Sequence, residues 1–242
     1  SSLGPGSKRA RQEFKALQML QKHAVPVPAP LYLDEQGMLL GMPGMVTSFV
    51  TGKQVMRAPD VLGYAREMAR VLVKIHAIPI GAAEKEFLPD ANAETLWFRK
   101  KGVIPDYMLN SPDGLFVWEA IERLLPLQQP VPPTFVHTDY WIGQLLWEQD
   151  RINAVLDWEE AGYGDPAYDL AYGRMVLWID EGAAAADELL KVYEAEVGHP
   201  VVNLPFWEYA ATPRVMHQPT WEVDVRQKLR DFIADVRMRS GL

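Results

Sequence analysis

Residues 134–171 read TFVHTDYWIGQLLWEQDRINAVLDWEEAGYGDPAYDLA, and this stretch decides the fold. Two runs of strongly β-forming residues, 144–147 and 152–156, lie on either side of four polar residues, and this pattern predicts a β-hairpin. A third apolar run, 134–136, precedes a short polar loop that contains Asp139. We therefore expect this loop and the open end of the hairpin to lie side by side.

The polar side chains at these two places have the chemistry of a cation site. Closing the hairpin brings Gln144 back beside Asp157, while Asp139 lies at the mouth of the preceding loop. Oxygen ligands of this kind suit Mg²⁺, which takes one or two carboxylates and completes its shell with water and substrate phosphates. A carboxylate outside the metal shell can accept the proton of an attacking hydroxyl. Together these features indicate phosphoryl transfer.

The order of these residues resembles that of a known family. His137 and Asp139 are followed five residues later by an amide at position 144, then by the triplet DWE that begins at Asp157 and by the segment GDPAYDLA. This pattern is similar to that of the aminoglycoside phosphotransferase and choline kinase group, a branch of the protein-kinase-like fold. The resemblance covers residues 11–174.

The resemblance implies an α+β protein with a protein-kinase-like bilobal fold whose N-terminal lobe is incomplete in this chain. Residues 1–52 would be a remnant of the N-terminal ATP-binding lobe with the hinge. Residues 53–242 would form a larger, mainly α-helical C-terminal lobe with the catalytic hairpin. In the family a glycine-rich turn and an ATP-anchoring lysine lie upstream of the helix that here carries Glu13, and only about ten residues precede this helix. We therefore expect the chain to be a fragment of a longer protein.

The resemblance also implies a role for each polar residue of the central motif. Asp139 would be the catalytic base, and His137 would brace the catalytic loop. Asp157 would be the principal Mg²⁺ ligand and Gln144 the second one, while Asp169 would hold the loop from the helix below it. The family usually has Asn at position 144, so the longer Gln would require the metal to shift or to be met through water.

The resemblance places the nucleotide contacts in the N-terminal part of the chain. Glu13 occupies the position of the glutamate that pairs with the ATP-anchoring lysine, and its alternative role is that of an exposed helical residue. Residues 45–50 would be the hinge, where the backbones of Ser48 and Val50 would meet adenine, and the alternative is an ordinary edge strand. The expected cofactors are thus ATP and Mg²⁺.

The phosphoryl acceptor would bind beside the helices that follow the central motif. Candidates for lining its pocket are Trp141, Glu159, Glu160 and Glu208, and core packing is the alternative role of the tryptophan. The motif handles phosphate and carries no information on the acceptor, so aminoglycosides, macrolides, choline and other hydroxyl compounds all fit it.

Helix caps and hydrophobic periodicity predict the other elements. Asp60 is a helix N-cap that precedes apolar residues at helical spacing, and Asp165-Pro166 marks another helix start. The first ten residues are rich in Ser and Gly and indicate a loop. Further helices are expected over residues 8–23, 92–101, 115–125, 183–197, 204–211 and 220–239, and strands over residues 31–33, 38–40 and 45–50.

The bulk composition argues against several classes of protein. The 24 basic and 32 acidic residues give a formal net charge of −8, which disfavours nucleic acid or an anionic membrane as a partner. No apolar run approaches the roughly 18 residues that a membrane span needs. The chain has no cysteine for disulfides or thiolate metal sites. We expect a cytoplasmic protein whose partners are a nucleotide and a small-molecule hydroxyl acceptor.

Two functional hypotheses follow from these observations. The first is an ATP- and Mg²⁺-dependent phosphotransferase that acts on a hydroxyl group of a small molecule. The alternative is a catalytically impaired, kinase-like protein that binds a small molecule, in which Gln144 and the incomplete N-terminal lobe have removed the chemistry. Binding of ATP that depends on Mg²⁺ distinguishes the two.

Overall fold

The computed structural model describes residues 5–218 and 223–242. Its helices are α1 (Pro5–Leu20), α2 (Val61–His76), α3 (Ala82–Lys85), α4 (Ala91–Thr95), α5 (Asp106–Leu109), α6 (Gly114–Leu124), α7 (Ala167–Glu181), α8 (Ala183–Val197), α9 (Leu204–Met216) and α10 (Val223–Ser240). The strands are β1 (Pro30–Asp34), β2 (Gly44–Thr47), β3 (Lys53–Gln54), β4 (Thr134–Val136), β5 (Leu145–Glu148), β6 (Arg151–Val155) and β7 (Gly162–Gly164). Short 3₁₀ turns cover Trp97–Arg99, Leu125–Leu127 and Ile142–Gln144.

The core is a packed set of long helices. Helix α2 packs along α8, α8 packs along α7, and α7 packs along α9. The predicted start of α2 is confirmed, because the Asp60 carboxylate accepts a hydrogen bond from the backbone N–H of Gly63 at 3.0 Å. Met68 and Leu72 of α2, like Leu170 of α7, are completely buried. This core supports the loop and the hairpin of the central motif from below.

The predicted hairpin is confirmed. Strands β5 and β6 pair antiparallel with Leu145 opposite Val155, and β3 adds to the outer edge of β5. At the open end, the backbone N–H of Leu156 donates to the carbonyl of Gln144 at 2.8 Å. The side chain of Gln54 from β3 donates to the carbonyl of Gly143 at 2.7 Å. The backbone at position 144 is therefore tied to the hairpin on both sides.

The strand before the catalytic loop has a partner that the sequence did not predict. Strand β4 pairs antiparallel with β7, with Phe135 opposite Tyr163. Glycine is needed in β7 because a Cβ at Gly162 would lie 2.6 Å from the carbonyl oxygen of Pro89. Glycine has a low β-propensity, so the sequence did not predict β7, although close packing against Pro89 requires glycine there.

Residues 38–40 form a turn, so the predicted strand there was wrong. The Asp34 carboxylate accepts backbone N–H groups from Met38, Leu39 and Leu40 at 3.0, 2.7 and 2.8 Å. These hydrogen bonds lower the pKa of Asp34, and they fold the following residues back on the strand end. The chain then enters β2, which pairs antiparallel with β1.

Several predicted helix boundaries also needed correction. Helix α1 begins at Pro5 inside the predicted loop and ends at Leu20, and proline is tolerated in a first helical turn. The helix predicted over residues 92–101 divides into α4 and a 3₁₀ turn. Helix α9 continues past position 211 to Met216 although it contains Pro213. The start of the helix predicted over residues 220–239 lies outside the described residues.

None of the helices in the described part of the chain is both long enough and apolar enough to cross a membrane.

Candidate active site

The loop after β4 is held from below by a buried carboxylate. Asp169 of α7 is completely buried and accepts the backbone N–H groups of His137 at 2.7 Å and Thr138 at 2.6 Å. One of its oxygens also lies 3.1 Å from Nε2 of His76. Thr138 has φ of 70°, a left-handed conformation that is uncommon for a residue other than glycine. The Asp169 bonds stabilise this conformation, which turns the next residue, Asp139, toward the hairpin.

His137 joins the loop to the end of β6. Its Nε2 lies 2.9 Å from the carbonyl of Leu156, and its Nδ1 lies 3.3 Å from the backbone N–H of Asp139. A carbonyl can only accept and an N–H can only donate, so the proton is on Nε2 and the ring is neutral. The ring also packs on Trp158 with 4.5 Å between centroids. Both nitrogens are engaged, which gives His137 a bracing position and leaves no free nitrogen for proton transfer.

The structure brings Asp139, Gln144 and Asp157 together. Nε2 of Gln144 lies 2.7 Å from Oδ2 of Asp139 and 2.9 Å from Oδ2 of Asp157. The sequence predicted that the amide oxygen of Gln144 would face a metal, whereas in the structure the amide nitrogen faces both carboxylates. The reason is that two ionised carboxylates can only accept hydrogen bonds, so they attract the donor end of the amide.

This cluster fits a hard cation with a small set of protein ligands. Among residues 5–218 and 223–242, no group of three or more His, Cys, Asp or Glu side chains is arranged to hold a metal ion. Mg²⁺ needs only one or two carboxylates when substrate phosphates and water supply its other ligands. Asp157 is exposed, and its carboxylate lies at the end of the hairpin beside Gln144. The donor set therefore suits Mg²⁺ bound together with phosphates.

Helix α1 lies against the segment that follows Asp157. Glu13 accepts a hydrogen bond from the backbone N–H of Trp158 at 3.3 Å, and Gln12 donates to the carbonyl of Ala161 at 3.0 Å. Burial raises the pKa of Glu13 to about 7, and the neighbouring charges of Asp157 and Glu159 add to the shift. In the part of the chain that the structure describes, no lysine forms an ion pair with Glu13.

The predicted hinge uses one of its donors within the protein. The backbone N–H of Ser48 donates to the carbonyl of Ala29 at 2.8 Å, and the Ser48 hydroxyl accepts the N–H of Ala29 at 2.9 Å. These bonds extend the β1–β2 pairing by one step beyond Thr47, and the prediction that the backbones of Ser48 and Val50 meet adenine stays a prediction. Val50 follows outside any strand and is half-buried.

Arg214 is a residue of this site that the sequence did not predict. Its Nη1 donates to the carbonyl of Thr138 at 2.7 Å and lies 3.4 Å from Oδ1 of Asp139, while Nη2 pairs with Glu160. The guanidinium carbon lies 4.9 Å from the ring centre of Tyr172. The predicted helix over residues 204–211 ended before Arg214, and no spacing in the sequence linked Arg214 to the motif.

A cavity of about 400 Å³ opens beside the loop on the Arg214 side. Glu159 and Glu160, two of the candidates for the acceptor pocket, line this cavity. Its wall also contains Trp97 and Tyr168. The remaining lining residues are Lys8, Arg9, Gln12, Pro89, Glu94, Thr95, Thr138 and Arg214.

The other two candidates for that pocket lie elsewhere. Glu208 is completely buried and forms an ion pair with Arg174 at 2.9 Å, which is also completely buried. Its position in the helical core is explained by this pairing, because a buried charge needs a partner. Trp141 packs its ring over Gly143, where a Cβ would lie 2.2 Å from the ring. The structure therefore does not bring Glu208 or Trp141 to the cavity wall.

Comparison with families of known proteins places the chain. The family model described as the phosphotransferase enzyme family, abbreviated APH, matches residues 3–204. The chain belongs to the APH phosphotransferase enzyme family. The APH match includes Asp139, Gln144 and Asp157, whereas Arg214 lies beyond its end. The predicted resemblance to aminoglycoside phosphotransferases is thereby confirmed.

Two curated proteins are similar to this chain in sequence. Acyl-CoA dehydrogenase family member 10 of Mus musculus is 27% identical over 195 residues, which is 74% of this chain and 18% of that protein. Viomycin phosphotransferase of Streptomyces vinaceus is 30% identical over 167 residues, which is 59% of this chain and 58% of that protein. The chain thus spans less than two thirds of the length of these relatives.

Solved structures of APH proteins share the fold. A thermostable mutant of aminoglycoside phosphotransferase APH(4)-Ia matches with a TM-score of 0.62 and 20% identity, over 95% of this chain and 85% of that chain. ADP-bound APH(2'')-Ib matches with a TM-score of 0.59 and 16% identity, over 95% and 81%. Macrolide 2'-phosphotransferase MphH of Brachybacterium faecium gives a TM-score of 0.56 and 19% identity, over 94% and 80%. The predicted α+β, protein-kinase-like fold is confirmed.

Proposed function

We propose that the protein is an ATP- and Mg²⁺-dependent phosphotransferase that transfers phosphate to a hydroxyl group of a small molecule. The observation that carries this proposal is the meeting of Asp139, Gln144 and Asp157 at the open end of the hairpin, inside the part of the chain that the APH family matches. Two relatives by fold support a nucleotide as cofactor, since one was solved with ADP and another with AMP-PNP and hygromycin B.

In this proposal each residue of the cluster has a distinct task. Asp157, which is exposed at the hairpin end, would hold Mg²⁺ once the amide nitrogen of Gln144 moves off its carboxylate. The bound metal neutralises charge on the transferring phosphate. Asp139 has one oxygen toward Gln144 and the other toward Arg214, which lines the cavity, and Asp139 can orient the acceptor hydroxyl there. His137 and Asp169 keep the loop in this position.

The charged side chains that line the cavity indicate what charge the acceptor carries. Glu159 lies 3.9 Å from Arg9, Glu94 lies 3.2 Å from Lys100, and Glu160 pairs with Arg214. Each of these carboxylates has a cationic partner, so the wall carries no excess negative charge. A polycationic acceptor would gain little attraction from such a wall. We infer that the acceptor is a small hydroxyl compound that is not selected by a high positive charge.

Lobe division and cellular location complete the proposal. Residues 1–52 would contribute to an ATP-binding lobe and hinge, and residues 53–242 would form the catalytic and acceptor-binding lobe. The enzyme would act in the cytoplasm, where ATP is supplied, and its partners would be the nucleotide and the acceptor.

Two observations favour the second candidate, a kinase-like protein that binds a small molecule without transferring phosphate. The amide nitrogen of Gln144 occupies the gap between the two carboxylates, and the backbone N–H of Ser48 is bonded to Ala29. The amide has to move before Asp157 can hold a metal, and the Ser48 N–H is not available to a nucleotide while it is bonded to Ala29. Nucleotide binding therefore decides between the two candidates.

The deciding experiment is calorimetric titration of ATP into the protein with and without Mg²⁺. Asp157→Ala removes the proposed metal ligand, and Asp150→Ala, in the exposed turn at the opposite end of the same hairpin, is the matched control. We expect ATP binding that requires Mg²⁺, disappears in Asp157→Ala and persists in Asp150→Ala. A folded full-length protein that binds no ATP would refute the phosphotransferase proposal and favour the binding protein.

A further inference from the structure

The side-chain amide of Gln144 bridges the carboxylates of Asp139 and Asp157. The amide nitrogen lies 2.7 Å from Asp139 and 2.9 Å from Asp157, so its two N–H bonds reach one carboxylate each. A cation held by Asp157 would need the carboxylate oxygen that the amide nitrogen now contacts. The amide nitrogen therefore occupies a position that such a cation needs.

Electrostatics explain why the amide adopts this position. Two carboxylates that share a site repel each other unless a donor or a cation lies between them. Asp139 has a second donor, because Nη1 of Arg214 lies 3.4 Å from its other oxygen. Asp157 is exposed and takes its side-chain hydrogen bond from Gln144. Loss of the amide would thus affect Asp157 more than Asp139.

The length of the glutamine side chain makes this contact reachable from a fixed backbone. The carbonyl of Gln144 accepts the N–H of Leu156 at 2.8 Å, and the preceding carbonyl, of Gly143, accepts from Gln54 at 2.7 Å. Since the main chain is held on both sides, the extra methylene of Gln relative to Asn provides the reach into the gap between the carboxylates.

We propose that Gln144 is a neutral latch that joins the two carboxylates in the metal-free protein and competes with a cation for the Asp157 carboxylate. The latch rests on the proposed function insofar as it assumes that Asp157 holds a cation. For a cation to bind, Asp157 would have to release the neutral amide donor. Gln144 is accordingly a positioning residue that lowers the affinity of the site for its cation.

Replacing Gln144 with methionine separates a latch from a metal ligand, because methionine has a similar length and lacks both the donor and the oxygen. Gln18→Met, on the exposed face of α1, is the matched control. The probe is Mn²⁺ alone, titrated without nucleotide and followed by electron paramagnetic resonance. If Gln144 is a latch, Gln144→Met binds Mn²⁺ roughly fivefold more tightly than wild type, the effect of one hydrogen bond. If Gln144 is a ligand, the variant binds Mn²⁺ more weakly and the latch is refuted.

Thermal unfolding gives a readout that does not depend on metal loading. In EDTA we expect Gln144→Met to melt about 4–8 °C below wild type, because the variant loses two hydrogen bonds of about 1 kcal/mol each, and 1 kcal/mol corresponds to about 2–4 °C in a protein of this size. Gln18→Met should melt with wild type, and saturating Mg²⁺ should narrow the difference for Gln144→Met. An unchanged melting temperature in EDTA overturns the latch.

The two proposals fail in different experiments. If neither wild type nor Gln144→Met binds Mn²⁺, the competition is overturned, while Mg²⁺-dependent ATP binding by wild type still decides the proposed function. If wild type binds no ATP but Gln144→Met binds Mn²⁺ more tightly and melts lower in EDTA, the latch stands and the phosphotransferase proposal does not.

Discussion

Replacing Asp169 with asparagine would test how the catalytic loop is held, because the two side chains have the same shape and differ in what they can accept. The carboxylate takes the N–H groups of His137 and Thr138 on different oxygens, and His76 also contacts it. An asparagine has one oxygen, so in either orientation its NH₂ group faces a buried backbone N–H. At least one buried donor then loses its acceptor.

The size of the effect follows from these contacts. Leaving a buried donor unpaired costs about 1–3 kcal/mol, toward the upper end at this site because the acceptor is charged. Thr138 in its left-handed conformation stores about 1 kcal/mol that the Asp169 bonds now offset. We therefore expect Asp169→Asn to lower the free energy of unfolding by about 3 kcal/mol, or the melting temperature by roughly 6–12 °C.

Urea unfolding followed by tryptophan fluorescence would measure this change. Asp150→Asn, in the exposed turn between β5 and β6, is the control and should stay within about 0.5 kcal/mol of wild type. A loss below about 1 kcal/mol for Asp169→Asn would show that the loop does not depend on this carboxylate, and that Thr138 keeps its left-handed conformation without it.

Two more substitutions test the surroundings of the cluster. Burial raises the pKa of Glu13 to about 7, so its contribution to stability is present below its ordinary pKa of 4.5 and is lost as pH rises through 7. Glu13→Gln keeps an acceptor for the backbone N–H of Trp158. Its free energy of unfolding relative to wild type should increase by about 1–2 kcal/mol between pH 5 and pH 8, after allowance for partial exposure. Urea unfolding that gives the same difference between variant and wild type at both pH values would contradict this. Arg214→Met leaves the Thr138 carbonyl and Glu160 without their donor and should cost about 1–3 kcal/mol. Arg214→Lys should recover part of it, and a loss under about 0.5 kcal/mol for Arg214→Met would count against the contact.

The grouping of Asp139, Gln144 and Asp157 could be predicted because it depends on local rules. A hairpin returns the chain to its starting point, so residues at the two ends of β5 and β6 must meet whatever the rest of the fold does. The six residues from Asp139 to Gln144 form a loop and a 3₁₀ turn, which leave little room for another arrangement. Family membership followed from the same local pattern.

What could not be predicted depends on distant parts of the chain. Arg214 reaches Asp139 across 75 positions, from a helix that continues through Pro213, where local rules end a helix. The orientation of the Gln144 amide depends on two carboxylates that act on it together, and the spacing of residues does not reveal which end of an amide faces them. The partner of Ser48, Ala29, lies 19 positions earlier, so the use of the Ser48 N–H within the protein could not be seen from the local sequence.

Asp139 links the two halves of the site through its two oxygens. One accepts from Gln144, which also holds Asp157 on the cation side, and the other lies 3.4 Å from Arg214 on the cavity side. The Asp139 side chain is 20% exposed, so only a small part of it is open to an acceptor hydroxyl while Gln144 and Arg214 are in place. If a cation displaces the amide, Asp139 loses its donor on that side and becomes a better acceptor for a hydroxyl. Cation binding would then prepare the cluster for an acceptor through Gln144, without movement of the loop that Asp169 holds.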